Sequence, residues 1–514
     1  MLTARAASIA LLFVLSLSDL RGSDQPQWGE AWTRNMVSKE QGLPDSFDAK
    51  TGQHVKWSAQ LGTQTHSTPI VAHGRVYIGT NNGVPRDTRH QGDRGVLMCF
   101  DENTGKLLWQ LVVPKREEDP YFDWPECGIS SPATVEGDRV YIVSNRGEVM
   151  CLDALGMANG NDGPFTNEAG HCIPGQSGAS QSATTNSVTI IDGSSAPDLS
   201  PLDADILWVF DLTQGAGIWS HDAAHSSILI RGDYLYLNSG TGVDNTHKRI
   251  RTPDAPSLVV LDKQTGRLVA RDCEHIAPNI FHNTWCSPSL AEVDGDPLIL
   301  FGGGNGILYA FDASMTREPI PQMLRKVWQF DFDPDAPKTN VHKFNSNRRE
   351  GPSNFYGMPV FKDNRIYAAG GGDLWWGKNE AWLKCIDSTE RDLDAKKRLI
   401  WTYPLQKHVL STPAIYNGMV FIADCGRKFH CVDAHNGTAF WTHDLEGEVW
   451  ASPLVADGKV YLGTRSGAFY IFAADKEKRL LNSTQLGAPI SGTATAANGI
   501  LYLATMTHLY ALSL

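Results

Sequence analysis

The sequence predicts an all-β protein, an eight-bladed β-propeller built from four-stranded antiparallel blades. One hairpin pattern recurs eight times along the 514 residues, and a second pattern that carries tryptophan alternates with it. The chain also starts its repeats with a tryptophan strand that has no unit before it, and ends with a unit that lacks such a strand. Together these observations indicate the fold class, the number of blades and the way the ring closes.

The first pattern is a hairpin that starts with Ser or Thr before Pro and turns at Gly, Asp or Asn. "STPIVAHGRVYIGTNNG" at 67–83 shows it, and close copies lie at 130–147, 411–426 and 451–467. Apolar alternation with β-branched and aromatic residues favours strands joined by tight turns. The second strands of the eight hairpins begin at Val76, Val140, Leu235, Leu298, Ile366, Val420, Val460 and Leu501.

The second pattern is an apolar residue followed by Asp, a Gly turn and a strand with Trp, as in "MCFDENTGKLLWQLVV" at 98–113. Two hairpins make one unit of four strands, A to D. Units of about forty residues cannot bury both faces alone, so they stack radially into a ring. Six D strands carry a tryptophan that we expect to be buried between blades: Trp57, Trp109, Trp208, Trp328, Trp401 and Trp441. Ala270 and Asn482 take its place in blades three and seven.

Ring closure follows from the two ends of the repeat array. The last unit, "SGTATAANGILYLATMTHLYALSL", stops after three strands, and 47–61 supplies a surplus D strand. We therefore expect the Trp57 strand to complete blade eight and to leave no open seam. The predicted organisation is a signal peptide at 1–22, an N-terminal extension at 23–46 and the propeller at 47–514, with a Ser-, Gly- and Asn-rich insertion at 157–202.

The N-terminal segment and the charge indicate the compartment and exclude some partners. Arg5 precedes the apolar stretch Ile9–Leu17 and a run of small residues, which is typical of a secretory signal peptide and predicts a periplasmic or secreted protein. No internal apolar run approaches the ~20 residues that span a bilayer. The net charge of −12 disfavours nucleic acid as a partner.

Eight of the nine cysteines fall into two groups. Four of them share one position of the repeat, just before an apolar-Asp pair, and are predicted to be small buried hydrophobes: Cys99, Cys151, Cys385 and Cys431. Four others lie in or beside loops, and the sequence leaves their pairing open: Cys127, Cys172, Cys273 and Cys286.

A ligand site is expected on one face of the ring. Strand direction alternates, so the long B–C and D–A loops share one face, while the A–B turns are tight. The candidate ligand-binding residues open the A strands or lie in these loops: His66, Glu126, His225, Asp244, His247, Trp285, Arg348, Arg349, Tyr356, Trp375, Trp376 and Trp450. Stacked aromatics with Arg and carboxylates suit a planar anionic cofactor or a sugar. The alternative is that these side chains only pack the loops onto the ring.

Metal and catalytic signals are weak, so the sequence predicts no metal centre and identifies no catalytic residue. His221 and His225 are four apart, but on a predicted loop-to-strand stretch where helical spacing does not apply. Asp331, Asp333 and Asp335 begin like a calcium loop, yet Pro337 follows and the glycine and later Glu of such loops are missing.

The Leu/Phe-Asp-x-x-Thr-Gly-x-x-x-Trp repeat resembles the PQQ-like (quinoprotein-type) propeller superfamily, across about 25–514 of the chain. That superfamily includes the quinoprotein alcohol dehydrogenases and the propeller lipoprotein of the outer-membrane assembly machine. The segments "QPQWGEAWTRNMVSKEQGLPDSF" and "FHNTWCSPSL" are similar to secreted bacterial PQQ-like repeat proteins of unassigned activity.

The resemblance implies three functions. The first is a secreted, non-catalytic binding or scaffold module that takes a protein, glycan or small molecule at the channel mouth. The alternative is an alcohol or sugar dehydrogenase that uses PQQ and calcium. The Cys-Cys pair and C-x-x-C-H motif of such enzymes are absent from this sequence, and the family's calcium ligands have no match here. The second alternative is an outer-membrane assembly factor, which the lack of an N-terminal lipid-anchor cysteine disfavours. No cofactor is therefore assigned.

Overall fold

The computed structural model describes residues 22–116, 122–173, 199–222, 226–316, 320–390 and 395–514. These residues form eight antiparallel sheets arranged as the blades of one propeller, which confirms the predicted fold class. The predicted signal peptide, apart from Gly22, lies outside the described residues, as does the 174–198 part of the insertion. No helix in the described ranges is long and apolar enough to cross a membrane.

The inner two strands of each blade form the predicted hairpin. In blade order the A strands are Ile70–Ala72, Thr134–Glu136, Leu229–Arg231, Ser289–Val293, Val360–Lys362, Ala414–Tyr416, Leu454–Ala456 and Thr495–Ala497. The B strands are Arg75–Asn81, Arg139–Val143, Tyr234–Asn238, Asp296–Gly302, Arg365–Gly371, Met419–Asp424, Lys459–Gly463 and Ile500–Ala504.

The outer two strands form the second hairpin. The C strands are Arg94–Asp101, Glu148–Asp153, Leu258–Asp262, Ile307–Asp312, Ala381–Asp387, Lys428–Asp433, Ala468–Ala473 and His508–Leu512. The D strands are Leu107–Pro114, Ile206–Asp211, Leu268–Arg271, Lys326–Asp331, Leu399–Pro404, Ala439–Asp444, Leu480–Gln485 and, for blade eight, Val55–Gln60. The short helices among the described residues are Gly156–Asn159, Glu168–Cys172, Leu212–Ala216, Ala277–Asn279, Val341–Phe344 and Ala395–Arg398.

The Asp-x-x-Thr-Gly motif forms the C–D turn and the surface against which a tryptophan of the adjacent blade packs. In blade one, Asp101 accepts hydrogen bonds from the backbone N–H of Thr104 at 2.9 Å and from its hydroxyl at 2.7 Å. Gly105 follows with φ of +67°, and a Cβ there would lie 2.7 Å from the ring of Trp57 in blade eight. Only glycine combines this backbone conformation with so close a ring.

The repeated tryptophans join adjacent blades, as predicted. Five of the six are buried, and each donates its indole N–H to a carbonyl of the next blade. Trp57, for example, donates to Glu102 O at 2.9 Å. The exception is Trp328, which is half-buried and has no hydrogen bond from Nε1 to any described residue. Each fully buried indole stabilises its seam by roughly 2–3 kcal/mol.

The four repeat cysteines are fully buried, as predicted, and each lies directly across the C–D pair from a tryptophan. All nine cysteines fall within the described residues, and all are free thiols. The four loop cysteines therefore form no bridges in this structure.

The ring closes as predicted. Val55–Gln60 pairs antiparallel with His508–Leu512, and Trp57 lies opposite Ala511. Blade three departs from the four-strand plan, because Gln322–Met323 from the neighbouring C–D loop pairs in parallel with its D strand. This addition covers an edge that would otherwise be open.

The N-terminal extension crosses the central channel at the level of the A strands, a course that the sequence did not predict. It hydrogen-bonds to A strands of blades one, two, three, four, six and seven. Arg34 is fully buried and donates to the carbonyls of Trp28, Ser227 and Pro288 and to the Ser227 hydroxyl. The extension is thus part of the propeller core.

Candidate functional site

Aromatic rings converge where the D–A and B–C loops meet the channel. Trp285 stacks on Tyr356 with ring centroids 4.9 Å apart, and Trp375 lies 5.4 Å from Trp285. Trp375 is also 6.0 Å from Trp450, which stacks on His66 at 5.9 Å. We call these five rings the mouth cluster. Trp375, 38% exposed, presents its surface to solvent.

The sequence placed several of these residues at the start of the A strands, and the structure differs slightly. His66, Trp285, Tyr356 and Trp450 lie four residues before the first strand residue, in the D–A loops. Each Thr-Pro, Ser-Pro or Met-Pro that follows interrupts strand pairing, because proline has no N–H to donate. The rings therefore project from loop segments that enter the channel wall.

The buried carboxylate of Asp373 holds residues of the mouth cluster in place through hydrogen bonds. Its Oδ1 accepts the backbone N–H groups of Trp375 at 2.9 Å and Trp376 at 2.6 Å. Its Oδ2 accepts the Tyr356 hydroxyl and Nδ1 of His282, the latter at 2.9 Å. Burial alone would raise the pKa of Asp373, but His282 and these donors hold the pKa of the carboxyl below its ordinary value. Asp373 is thus a fixed anion.

Three imidazoles lie beside this carboxylate. Nε2 of His221 is 3.2 Å from Nε2 of His282. One ring nitrogen of His247 lies within 4.8 Å of both. Asp222 Oδ2 is 3.4 Å from Nε2 of His221 and 3.8 Å from Nε2 of His282. We call His221, Asp222, His247 and His282 the histidine cluster.

Burial controls the charge of the histidine cluster. Burial, then the neighbouring imidazoles of His282 and His247, hold the pKa of His221 well below its ordinary value. Burial raises the pKa of Asp222 to about 6. His221 is therefore a neutral imidazole with a free lone pair at neutral pH.

The histidine cluster touches the mouth cluster directly. The ring of His282 is 4.8 Å from Trp285 and 5.5 Å from Trp375. His247 lies 4.9 Å from Trp376, another sequence candidate. Seven of the twelve candidates are thus brought to one place: His66, His247, Trp285, Tyr356, Trp375, Trp376 and Trp450.

Two further candidates hold the loops of these clusters, two others lie on exposed loop segments, and one is not described. Arg348 is exposed, and its guanidinium donates to the carbonyls of Leu374, Trp375 and Gly377, so it clamps the tryptophan loop. Arg349 is exposed on the same loop face. Asp244 accepts from Thr246 Oγ1 at 2.6 Å and Arg249 Nε at 2.9 Å, which shapes the loop that carries His247.

Glu126 lies on an exposed loop and accepts a hydrogen bond from Gln64 at 3.4 Å. His225 lies outside the described residues. The pairing of His221 with His225 that the sequence analysis considered is therefore not tested, and among the described residues His221 lies beside His247 and His282. The acidic run that begins like a calcium loop binds lysines instead: Lys338 contacts Asp331 and Lys378 contacts Asp333.

Sequence reasoning missed Asp222, His282 and Asp373 as site residues. His282 lies in "FHNTWCSPSL", which indicated only a family resemblance, and Asp373 lies two residues before the candidate Trp375. A joint search of the mouth loops for His, Asp and Trp could have found these three residues.

Comparison with known proteins gives one family match. The model of the family described as outer membrane protein assembly factor BamB matches residues 93–156 and 387–513. Both segments contain the C–D turn motif and its following tryptophan.

Two curated relatives match parts of this chain. The quinohemoprotein alcohol dehydrogenase ADH IIB of Pseudomonas putida is 26% identical over 260 residues, which cover 48% of this chain and 33% of that protein. The dehydrogenase subunit of a quinone-dependent alcohol dehydrogenase from Gluconobacter oxydans is 41% identical over 87 residues, 15% of this chain and 11% of that protein. The chain thus matches a third or less of each relative's length.

Among solved structures, BamB from Moraxella catarrhalis shares 13% identity over 90% of this chain and 97% of that chain, with a TM-score of 0.49. The family match, the dehydrogenase relatives and the tryptophan-seated blades agree on one conclusion. The chain is similar, in sequence and in its repeats, to the PQQ-like β-propeller superfamily.

Proposed function

We propose that this chain is an extracytoplasmic binding propeller that takes a neutral, sugar-like ligand at the mouth cluster. The observation that carries the proposal is the set of converging rings, with Trp375 open to solvent at their centre. Indole faces stack on the apolar faces of ligands, and the surrounding imidazoles and carboxylates supply hydrogen bonds.

Charge favours a neutral ligand over an anion. Asp222, Asp244 and Asp373 all lie at the mouth, and the chain carries a net charge of −12. The guanidinium of Arg348 is engaged with three loop carbonyls and offers no free fork to a carboxylate.

The quinoprotein alternative requires PQQ and calcium, and the mouth residues do not fit them. Calcium takes six to eight oxygen ligands, whereas the donors of the histidine cluster are three imidazoles and one carboxylate. Trp285 and Tyr356 stack on each other at 4.9 Å, which leaves no gap between these two rings for a flat cofactor. We therefore derive no step through a quinone. No described residue of the mouth favours an outer-membrane assembly role.

Tryptophan fluorescence tests the proposal. The wild-type chain is titrated with a panel of neutral oligosaccharides and, separately, with PQQ plus calcium. We expect saturable quenching by a neutral sugar, weakened at least tenfold by Trp375→Ala. The matched control is Trp124→Ala, which removes a 45% exposed indole on the same loop face but outside the mouth cluster. Equal binding by the Trp375→Ala variant, or binding of PQQ alone, would contradict the proposal.

A further inference from the structure

We infer that the histidine cluster is a binding site for a divalent transition-metal ion, with imidazole nitrogens of His221, His247 and His282 and a carboxylate oxygen of Asp222 as ligands. This inference goes beyond the proposed ligand-binding function and does not depend on it. It also departs from the sequence-based prediction of no metal centre.

The donor atoms are spaced for one ion. Nε2 of His221, Nε2 of His282 and Oδ2 of Asp222 are separated by 3.2, 3.4 and 3.8 Å. Ligands at about 2.0–2.1 Å from a tetrahedral zinc ion lie ~3.3–3.5 Å from one another. The third imidazole, His247, is within 4.8 Å of the other two on a half-exposed loop, so a small movement completes the set.

The hydrogen bond behind His282 fixes its metal-binding tautomer. His282 Nδ1 lies 2.9 Å from Asp373 Oδ2 and donates its proton there, which leaves the Nε2 lone pair facing His221. Asp373 is itself held by Tyr356 and two backbone N–H groups. A carboxylate that orients a histidine in this way is the usual support of a metal-bound imidazole.

Asp222 supplies an independent observation. Its Oδ1 is buried and has no hydrogen bond to any described residue, and its only ion-pair contacts there are with His221 and His282. The backbone of Asp222 also has φ of +58°. Asp adopts this left-handed conformation more readily than most residues, but it still costs energy. A buried carboxylate oxygen without a donor is costly unless a cation approaches it. A metal ion among the three imidazoles would be that cation.

The ligand types select the metal. Three imidazoles and one carboxylate suit zinc, copper, nickel, cobalt or iron, whereas calcium and magnesium prefer oxygen. Affinity among divalent ions at such a site rises to copper, with zinc below it. We therefore expect copper and zinc to bind and calcium not to compete.

Calorimetry tests the site on the full mature chain after removal of metal with a chelator. Titration with Zn²⁺ and, separately, Cu²⁺ should show one equivalent bound per chain, unaffected by excess Ca²⁺. His247→Ala removes the half-exposed ligand and should weaken binding at least a hundredfold. Asp373→Asn should weaken it tenfold to a hundredfold, because the tautomer of His282 is no longer fixed.

The matched control is His342→Ala, a half-buried histidine of the same loop face whose Nε2 bonds the carbonyl of Ile280 at 3.0 Å. This variant should bind metal as the wild type does. Circular dichroism in chelator confirms that each variant folds, and Asp222→Asn, expected to lose at least tenfold, replaces any variant that does not. Absence of a stoichiometric site in the wild type, or equal affinity in wild type and His247→Ala, would overturn the inference.

Discussion

The seam between blades eight and one depends on a glycine that touches a tryptophan, and a pair of alanine substitutions can isolate that contact. Gly105 and Gly74 both lie in turns of blade one, with φ of +67° and +74°. A Cβ on Gly105 would meet the Trp57 ring at 2.7 Å, whereas a Cβ on Gly74 meets nothing within 4 Å. The two positions differ in the ring contact and share the backbone strain.

The expected losses follow from these contacts. An alanine in the left-handed region costs roughly 1–2 kcal/mol at either position. At Gly105 the methyl group must also displace a buried indole, which adds about 1–3 kcal/mol as in other overpacked cores. We expect Gly74→Ala to lower the free energy of unfolding by about 1–2 kcal/mol and Gly105→Ala by about 2–5 kcal/mol.

Equilibrium urea unfolding followed by circular dichroism measures both losses. A double-mutant cycle sharpens the test, because in a Trp57→Ala background the Gly105→Ala change meets no ring and should cost only the backbone strain. Equal losses at Gly74 and Gly105, or strict additivity of Gly105→Ala with Trp57→Ala, would refute the proposed role of the motif glycine.

Three further predictions concern closure, the extension and pH. Deletion of 47–62 removes the D strand of blade eight and should lower the thermal midpoint by several degrees; an unchanged midpoint would contradict the closure seen in the structure. Arg34→Met leaves three buried carbonyls without their guanidinium donor, so we expect faster proteolysis of the extension and a loss of about 1–3 kcal/mol. Burial would raise the pKa of Glu148, but His171 and Arg146 lower it to about 2. Because that pKa is depressed in the folded state, the stabilisation of about 3 kcal/mol is present above pH ~4.5 and is lost as the pH falls toward 2. The stability difference between wild type and Glu148→Gln should therefore shrink between pH 5 and pH 3, and a constant difference would contradict the assignment.

The blades were predictable because each one is local in sequence. Alternating apolar residues and a Gly turn specify a hairpin within about twenty residues, and the Asp-x-x-Thr-Gly motif forms both the turn and the contact surface for the tryptophan of the preceding blade. The extension has no such pattern. Its hydrogen bonds reach A strands of six blades, and Arg34 is buried by partners 193 and 254 residues away. Only the closed ring brings those partners together.

The channel mouth was partly predictable, because the loops that form it can also be recognised locally in the sequence. Strand alternation placed the long loops on one face, and the aromatic residues in those loops included the rings of the mouth cluster. Which loops touch depends on the packing of blades two to five, which the local patterns do not encode. His221 and His282 are 61 residues apart, and His282 and Asp373 are 91 residues apart. A search for closely spaced metal ligands could not have joined them.

The two proposed sites share Asp373, and this predicts how they can be separated. Asp373 holds the loop of Trp375 and Trp376 through Oδ1 and orients His282 through Oδ2. Asp373→Asn should therefore weaken both Zn²⁺ binding and sugar binding, whereas Trp375→Ala should weaken only the sugar and His247→Ala chiefly the metal. Calorimetry with Zn²⁺ and fluorescence with the sugar, on the same three variants, measure this pattern. If Trp375→Ala lost the metal as well, the rings would be part of the metal site, and the mouth would be one site instead of two.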